Sequence, residues 1–324
     1  MEDAPVIAWI LPEHLGLVMD ACRIAGLSLV AVGTPARGET RALADRAGAE
    51  PMPDLRAALA STEARVALLT VCPDPVPDAR VVLAAESRGL RIASLGPFAS
   101  GAIDAAEHGF LREQAGMRPA DSIRLVPRPR AHPVFRAAED VLGSFGDIEL
   151  VLVESHAPRS NGGLPAALLS AIDLVHTLIG TPELIDAASP GGARHIGAME
   201  GYLAALLRFP DGRFGQIAAS DRAAWGWRAT LTGRGGRLTL RPSGFDWFDD
   251  EGRRRDEHRA AEGSRDPVRV FADALRLLLD PGAPRGPAPA WAEILASAEA
   301  SLLSTRTGQA ESPWTLLRAA QSAD

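Results

Sequence analysis

A chain of 324 residues with 46 % apolar side chains is long enough for two cores, and its net charge of −7 argues against nucleic acid, whose phosphates draw on a basic face. The start, Met-Glu-Asp-Ala-Pro, has acids where a secretion signal needs a basic stretch, and no apolar run reaches the roughly 18 residues of a membrane span. Cys22 and Cys72 lie in apolar runs without CxxC spacing and read as buried thiols of a cytoplasmic protein.

All 34 basic side chains are arginine. Arginine stays protonated at any working pH and only clamps or stabilises charge, so a mechanism that needs a titrating lysine is excluded.

In chain order, Val6 to Leu11 reads as a buried strand, followed by a helix over Glu13–Ala25 that ends at Gly26. A strand over Leu27–Val32, helices over Arg41–Ala47 and Asp54–Ala60, and a strand over Val66–Val71 follow. The helix Val76–Arg88 and the strand Leu90–Ala93 complete a strand–helix alternation that predicts a doubly wound parallel sheet. The strand stops at Leu95-Gly96-Pro97, and a second domain, 98–324, is expected after the first, 1–97. Its pattern begins with a helix over Gly101–Gln114, a short run Ile123–Val126, a helix near Val134–Leu142 and a strand over Glu149–Glu154. The helix Pro165–Ile179 stops at Gly180 with Pro182 beyond it.

From Leu184 strand patterns dominate, over Tyr202–Phe209, Arg213–Ser220, Trp227–Thr232, Gly236–Leu240 and Phe245–Phe248. Asp211-Gly212 marks a hairpin. The mixed charges from Asp249 to Glu257 read as a solvated loop tip. Helices over Val268–Leu279 and Ala292–Thr307, separated by the proline-rich Pro281–Pro289, close the chain and pack back on the first domain. The expected fold class is α/β: a Rossmann-like doubly wound parallel sheet, then an α+β domain with an open, mainly antiparallel sheet.

This order of elements resembles the glucose-fructose oxidoreductase, inositol dehydrogenase (Gfo/Idh/MocA) family over nearly the whole chain. The segments that carry the resemblance are Leu150-Val-Leu-Val-Glu154, Leu178-Ile-Gly-Thr-Pro182, Leu206-Leu-Arg-Phe-Pro-Asp-Gly-Arg-Phe-Gly215 and Leu231-Thr-Gly-Arg-Gly-Gly-Arg-Leu238. The resemblance implies an NAD- or NADP-binding first domain, hydride transfer on a sugar or cyclitol, and homo-oligomers formed through the second sheet.

Where the family carries Glu-Lys-Pro, this chain has Leu95-Gly96-Pro97, and the lysine is absent. Where members have His three residues before Asp on the active-site helix, it has Ser170 and Asp173. The glycine-rich loop, which needs glycines so that backbone N–H groups can approach a pyrophosphate, is Ile10-Leu11-Pro12-Glu13-His14-Leu15-Gly16 and keeps only Gly16. Thr34 replaces the acid expected to hold a ribose hydroxyl, with Arg37 near enough to meet a 2′-phosphate. Gly16, Thr34 and Arg37 are the cofactor-binding candidates.

Asp173 and His176, three apart on one helix, are either an acid–base pair or a carboxylate and imidazole that satisfy each other at a domain interface. Arg128 and Arg130 are either clamps for a substrate anion, with Ser170 beside them, or ordinary surface arginines. Trp225 and Trp227 form a sugar-stacking platform or a piece of core. The histidines and cysteines have no metal-ligand spacing, and none is expected to hold a metal. Two functions follow: a pseudo-oxidoreductase that binds or regulates, beside a second copy or a paralogous subunit, or an active NAD(P)-dependent oxidoreductase, lyase or isomerase that uses Asp173 and His176.

Overall fold

The computed structural model describes residues 4–113, 118–280, 282 and 289–322. Its first half runs β1 (Ala4–Trp9), α1 (Leu15–Ala25), β2 (Leu27–Gly33), α2 (Thr40–Ala47), β3 (Glu50–Pro51), α3 (Leu55–Ser61), β4 (Val66–Leu69), α4 (Ala79–Ser87), β5 (Arg91–Ser94), α5 (Ala102–Glu107) and β6 (Ile123–Leu125). The strands form one parallel sheet in the order β3-β2-β1-β4-β5-β6. That is the doubly wound order, with the chain reversing direction across the sheet between β1 and β4. Local chemistry sets the helix ends: Gly26 takes a left-handed φ of 69° after α1, and Asp54 and Asp78 accept backbone N–H bonds at the starts of α3 and α4.

The second half runs α6 (Pro133–Ala137), α7 (Glu139–Phe145), β7 (Ile148–His156), α8 (Gly163–Ile179), β8 (Leu184–Ala188), β9 (Tyr202–Arg208), β10 (Phe214–Ser220), β11 (Gly226–Gly233), β12 (Gly236–Arg241), β13 (Gly244–Phe248), β14 (Arg254–Arg259), α9 (Pro267–Leu279), α10 (Trp291–Thr307) and α11 (Pro313–Ser322). Its eight strands form one sheet, β14-β13-β12-β11-β7-β10-β9-β8, antiparallel except where β7 meets β10. Helix α8 is apolar almost all round and accordingly buried, against β7 and β10 on one side and α10 on the other. Trp291, 1 % exposed at the start of α10, donates its indole N–H to the Ile123 carbonyl at 2.7 Å and meets the Phe98 ring edge-on at 5.0 Å. The carboxy-terminal part of the chain thus closes back on β6 of the first sheet.

Four elements differ from the sequence expectation. The helix expected from Gly101 stops at Glu107, and Gly109 follows with φ 77°; its expected end at Gln114 lies outside the described residues. The expected helix Val134–Leu142 is broken at Ala138 into α6 and α7. The mixed-charge stretch, read as a loop, supplies an exposed edge strand: Arg259 on β14 ion-pairs with Asp246 on β13 and with Glu257. Such charge is what keeps an unpaired sheet edge from joining another. Helix α11 carried no sequence signal. Most of Pro281–Pro289 lies outside the described residues. Among the described residues no helix is long and apolar enough to cross a membrane.

Candidate functional site

In an open α/β sheet the ligand crevice lies beyond the carboxyl ends of the strands. Here two of those ends, after β1 and β4, are tied by His14 to the loop that follows β7 of the second sheet. Pro12 opens a short 3-10 turn after β1 and brings the imidazole inward, where it is 3 % exposed. The ring Nε2 lies 2.8 Å from the Arg159 carbonyl oxygen, which only accepts, so Nε2 carries the proton. In the neutral ring Nδ1 then accepts from the Thr70 hydroxyl at 2.7 Å. Burial lowers the pKa of His14, against the opposing influence of the Glu13 charge and the Arg159 carbonyl. Thr70 follows β4 and Arg159 follows β7, so one side chain joins both sheets.

The cavity left around this latch holds about 100 Å³, between Leu11, His14, Cys72, Gly96 and Arg159. Pockets for cofactors and drug-sized ligands run to roughly 300–1,000 Å³. The Arg159 guanidinium is itself held by Glu200 and, at 3.8 Å, by Asp221, a buried carboxylate that accepts the Gly201 N–H at 2.9 Å. Burial pushes the Cys72 thiol up to about 12, which keeps it protonated.

The three cofactor candidates are dispersed. Gly16 is exposed, and a Cβ there meets nothing within 4 Å, so no close approach of backbone depends on that glycine. Thr34 is buried and spends its hydroxyl oxygen on the Ala36 N–H at 3.2 Å. Arg37 is exposed. The ends of β1 and β2 are filled by the Trp9 indole lying over Gly33, where a Cβ would come 2.5 Å from the ring. That contact requires glycine at 33.

After β5, Ser94 donates its hydroxyl to the Gly96 carbonyl at 2.6 Å, and Leu95 packs against the start of α8. A Cβ at Gly162 would sit 2.9 Å from the Leu95 side chain and 2.7 Å from that of Ala166. Apolar contact thus fills the space between β5 and α8. Ser170 borders a cavity of only about 20 Å³, with Leu95, Pro127, Ser155 and Trp227. That volume suits one water.

Asp173 and His176 leave α8 in different directions. Asp173, 2 % exposed, receives Arg128 Nη2 at 2.7 Å and Nε at 3.3 Å, with Arg130 Nε at 3.4 Å. His176 turns to α10, where Nε2 lies 3.0 Å from the Ser297 hydroxyl. Burial lowers its pKa to about 4 against the pull of Asp173, so the ring is neutral near pH 7. Arg128, Arg130 and Asp173 therefore form one cluster, Ser170 borders a separate small cavity, and His176 stands apart from both. Trp227 is buried and meets His132 edge-on at 5.8 Å, while Trp225 is half-buried just before β11. The described residues contain no cluster fit to hold a metal.

His14 and Leu95 lie in the two segments that lack the family's glycines and lysine, and neither is a candidate by residue type. The one available signal was Pro12, which commits the turn after β1 to a shape that a glycine loop does not take.

No family model matches the chain, and no curated protein matches it. Solved structures do. An inositol dehydrogenase of Corynebacterium glutamicum, acting on the myo isomer by its name, is 18 % identical, with 96 % of this chain and 98 % of that one covered at a TM-score of 0.61. The scyllo-inositol dehydrogenase of Lactobacillus casei, in its apo form, is 18 % identical over 97 % and 99 % at 0.62. An oxidoreductase of Agrobacterium radiobacter, in complex with NAD+, L-tartaric acid and magnesium, is 13 % identical over 98 % and 100 % at 0.66. The fold is that of the Gfo/Idh/MocA oxidoreductases. At these identities it is the architecture that the chain shares with Gfo/Idh/MocA proteins, and chemistry rests on the residues above.

Proposed function

We infer that the chain is a Gfo/Idh/MocA-type protein that does not transfer hydride and acts as a binding or regulatory subunit. The observation that carries this reading is the His14 latch, which joins the loops after β1, β4 and β7 and leaves about 100 Å³ where a dinucleotide would lie. The residues present do not fit that group. Glu13 sets a carboxylate at the helix start that would face pyrophosphate, Trp9 fills the ends of β1 and β2, and Thr34 replaces a ribose-binding acid. Leu95 and Gly96 supply neither a proton donor nor a cation to the substrate side, and no hydride step is routed through this site.

On the same reading Asp173, Arg128 and Arg130 are a structural ion cluster, and Ser170 lines a water-sized void. Two free cysteines, Cys22 buried and Cys72 half-buried, suit a reducing, cytoplasmic setting. A second copy pairs through the outer face of the large sheet. There Tyr202 and Leu206 on β9 are 56 % and 40 % exposed, and Leu150 and Leu152 on β7 face the same way across β10.

The test is a turnover screen of the full chain with NAD and NADP on inositols and simple sugars, followed by nicotinamide absorbance. No reduction is the expected result. Turnover with either coenzyme overturns the reading.

A further inference from the structure

The His14 latch suits only one charge state of its ring. As a neutral imidazole it donates from Nε2 to the Arg159 carbonyl and accepts at Nδ1 from the Thr70 hydroxyl, so both ring nitrogens and the hydroxyl hydrogen are satisfied together. A protonated ring has two donors and no acceptor. The Thr70 hydroxyl then has to turn round to accept, and it gives up the group that now receives its hydrogen.

The surroundings are also set against a cation. The ring is buried and caps the amino end of α1, where the helix dipole is positive. Neither α1 nor α8 carries an acid in its first turn. After β4 the ring meets Thr70 and, farther along the cleft wall, Cys72, whose thiol stays protonated. Across the joint stands the Arg159 guanidinium, and the carboxylates there are already engaged: Glu200 and Asp221 pair with Arg159, and Asp221 also with Arg222 at 3.2 Å. Glu13 and the Arg159 carbonyl favour the imidazolium, Glu13 from an exposed position where water and salt weaken it. Burial outweighs both, so the latched ring holds a proton less firmly than a free histidine.

Among the described residues, this ring makes the one hydrogen bond between the Pro12–His14 turn and the Arg159–Asn161 turn. We propose that acid releases the latch: protonation of His14 parts these two turns and opens a cleft that is closed at neutral pH. Arg159 stays with Glu200 and Asp221, so the opening runs between the turn after β1 and the strap after β7. The inference rests on the reading of the latch as the closure of the cleft. It concerns when the cleft opens, whereas the turnover screen tests what chemistry the cleft does, so either fails without the other.

An open ring titrates near 6.5 and the latched ring below it, so the closed form has its full advantage above pH 6.5 and loses it as pH falls. Between pH 7.5 and 5.5 the open fraction rises by about five- to tenfold. Hydrogen–deuterium exchange of the full chain at these two pH values, corrected for the intrinsic rate, reads the opening at the amides of His14, Leu15 and Asn161 to Gly163. Val151 and Val153 in the centre of β7 report global unfolding, including the part driven by His176. In the unaltered chain, corrected protection at the two turns is expected to fall about five- to tenfold at pH 5.5 while β7 is unchanged. His14→Gln keeps an N–H donor for the Arg159 carbonyl and takes up no proton, so its protection is expected to be equal at both pH values. Turns whose protection ignores pH, falls only together with β7, or falls as far in His14→Gln each overturn the proposal. The profile of the unaltered chain decides alone if the variant does not fold.

Discussion

Replacing Asp173 by alanine separates a structural carboxylate from a catalytic one. The side chain is 3 % exposed and is contacted by Arg128, itself 10 % exposed, and Arg130, 15 % exposed. These groups are desolvated, so surface screening does not reduce the interaction to the small values of exposed pairs. Removing one member of a buried pair costs about 3–5 kcal/mol, because the partner's charge stays buried without compensation. Both guanidinium groups lose the carboxylate they share, which places Asp173→Ala in that range, about 3–5 kcal/mol. Asp173→Asn keeps the shape and one accepting oxygen and is expected to lose about half as much. Urea unfolding followed by circular dichroism at pH 7 reads both, with unchanged m-values as the check on comparability. A loss below about 1 kcal/mol for Asp173→Ala would refute the assignment and return the carboxylate to the list of chemical groups.

The buried histidines make stability depend on pH. The pKa of His176 falls from 6.5 to about 4 in the folded chain, so the neutral ring stabilises the fold above pH 6.5. Between pH 6.5 and 4 the unfolded chain takes up the proton first, and about 3 kcal/mol is lost as pH falls; His176→Leu should flatten that part of the urea-midpoint profile, and an unaltered slope contradicts the burial argument. Cys22 and Cys72, both pushed up to about 12, should resist thiol reagents in the native protein and react once it is unfolded; rapid native labelling would contradict this. At Gly96 a Cβ meets only the Thr70 carbonyl oxygen, at 3.7 Å, but the position is buried, so Gly96→Lys is expected to cost about 1–3 kcal/mol and still reduce no nicotinamide with inositol; measurable turnover would show that the lysine alone was missing.

Local signals carried most of the fold. Gly26 after α1 and Asp211-Gly212 between β9 and β10, where Gly212 has φ 84°, mark turns that any reading of residue preference finds. Strand β14 was hidden because six polar residues in succession read as solvent-facing loop, and it is their antiparallel backbone pairing with β13, with the Arg259–Asp246 ion pair across it, that makes them a strand. The site was harder for the same reason. His14 finds Thr70 and Arg159 at separations of 56 and 145 residues, and Asp173 finds Arg128 at 45. Residue type nominated Asp173, Arg128 and Arg130 separately, but spacing along a helix paired Asp173 with His176, whereas the fold turns that histidine to Ser297. Missing glycines were legible at the cofactor loop; that a histidine stands among them as a bolt between two sheets was not.

The account rests most on the latch at His14, and the most direct test is calorimetric titration of the purified full chain with NAD, NADH, NADP and NADPH, after confirming that no nucleotide is carried through purification. The prediction is no saturable heat with any of the four up to millimolar concentration. Micromolar binding of any one of them would contradict it, and would mean that the loops joined by His14 open to admit a dinucleotide.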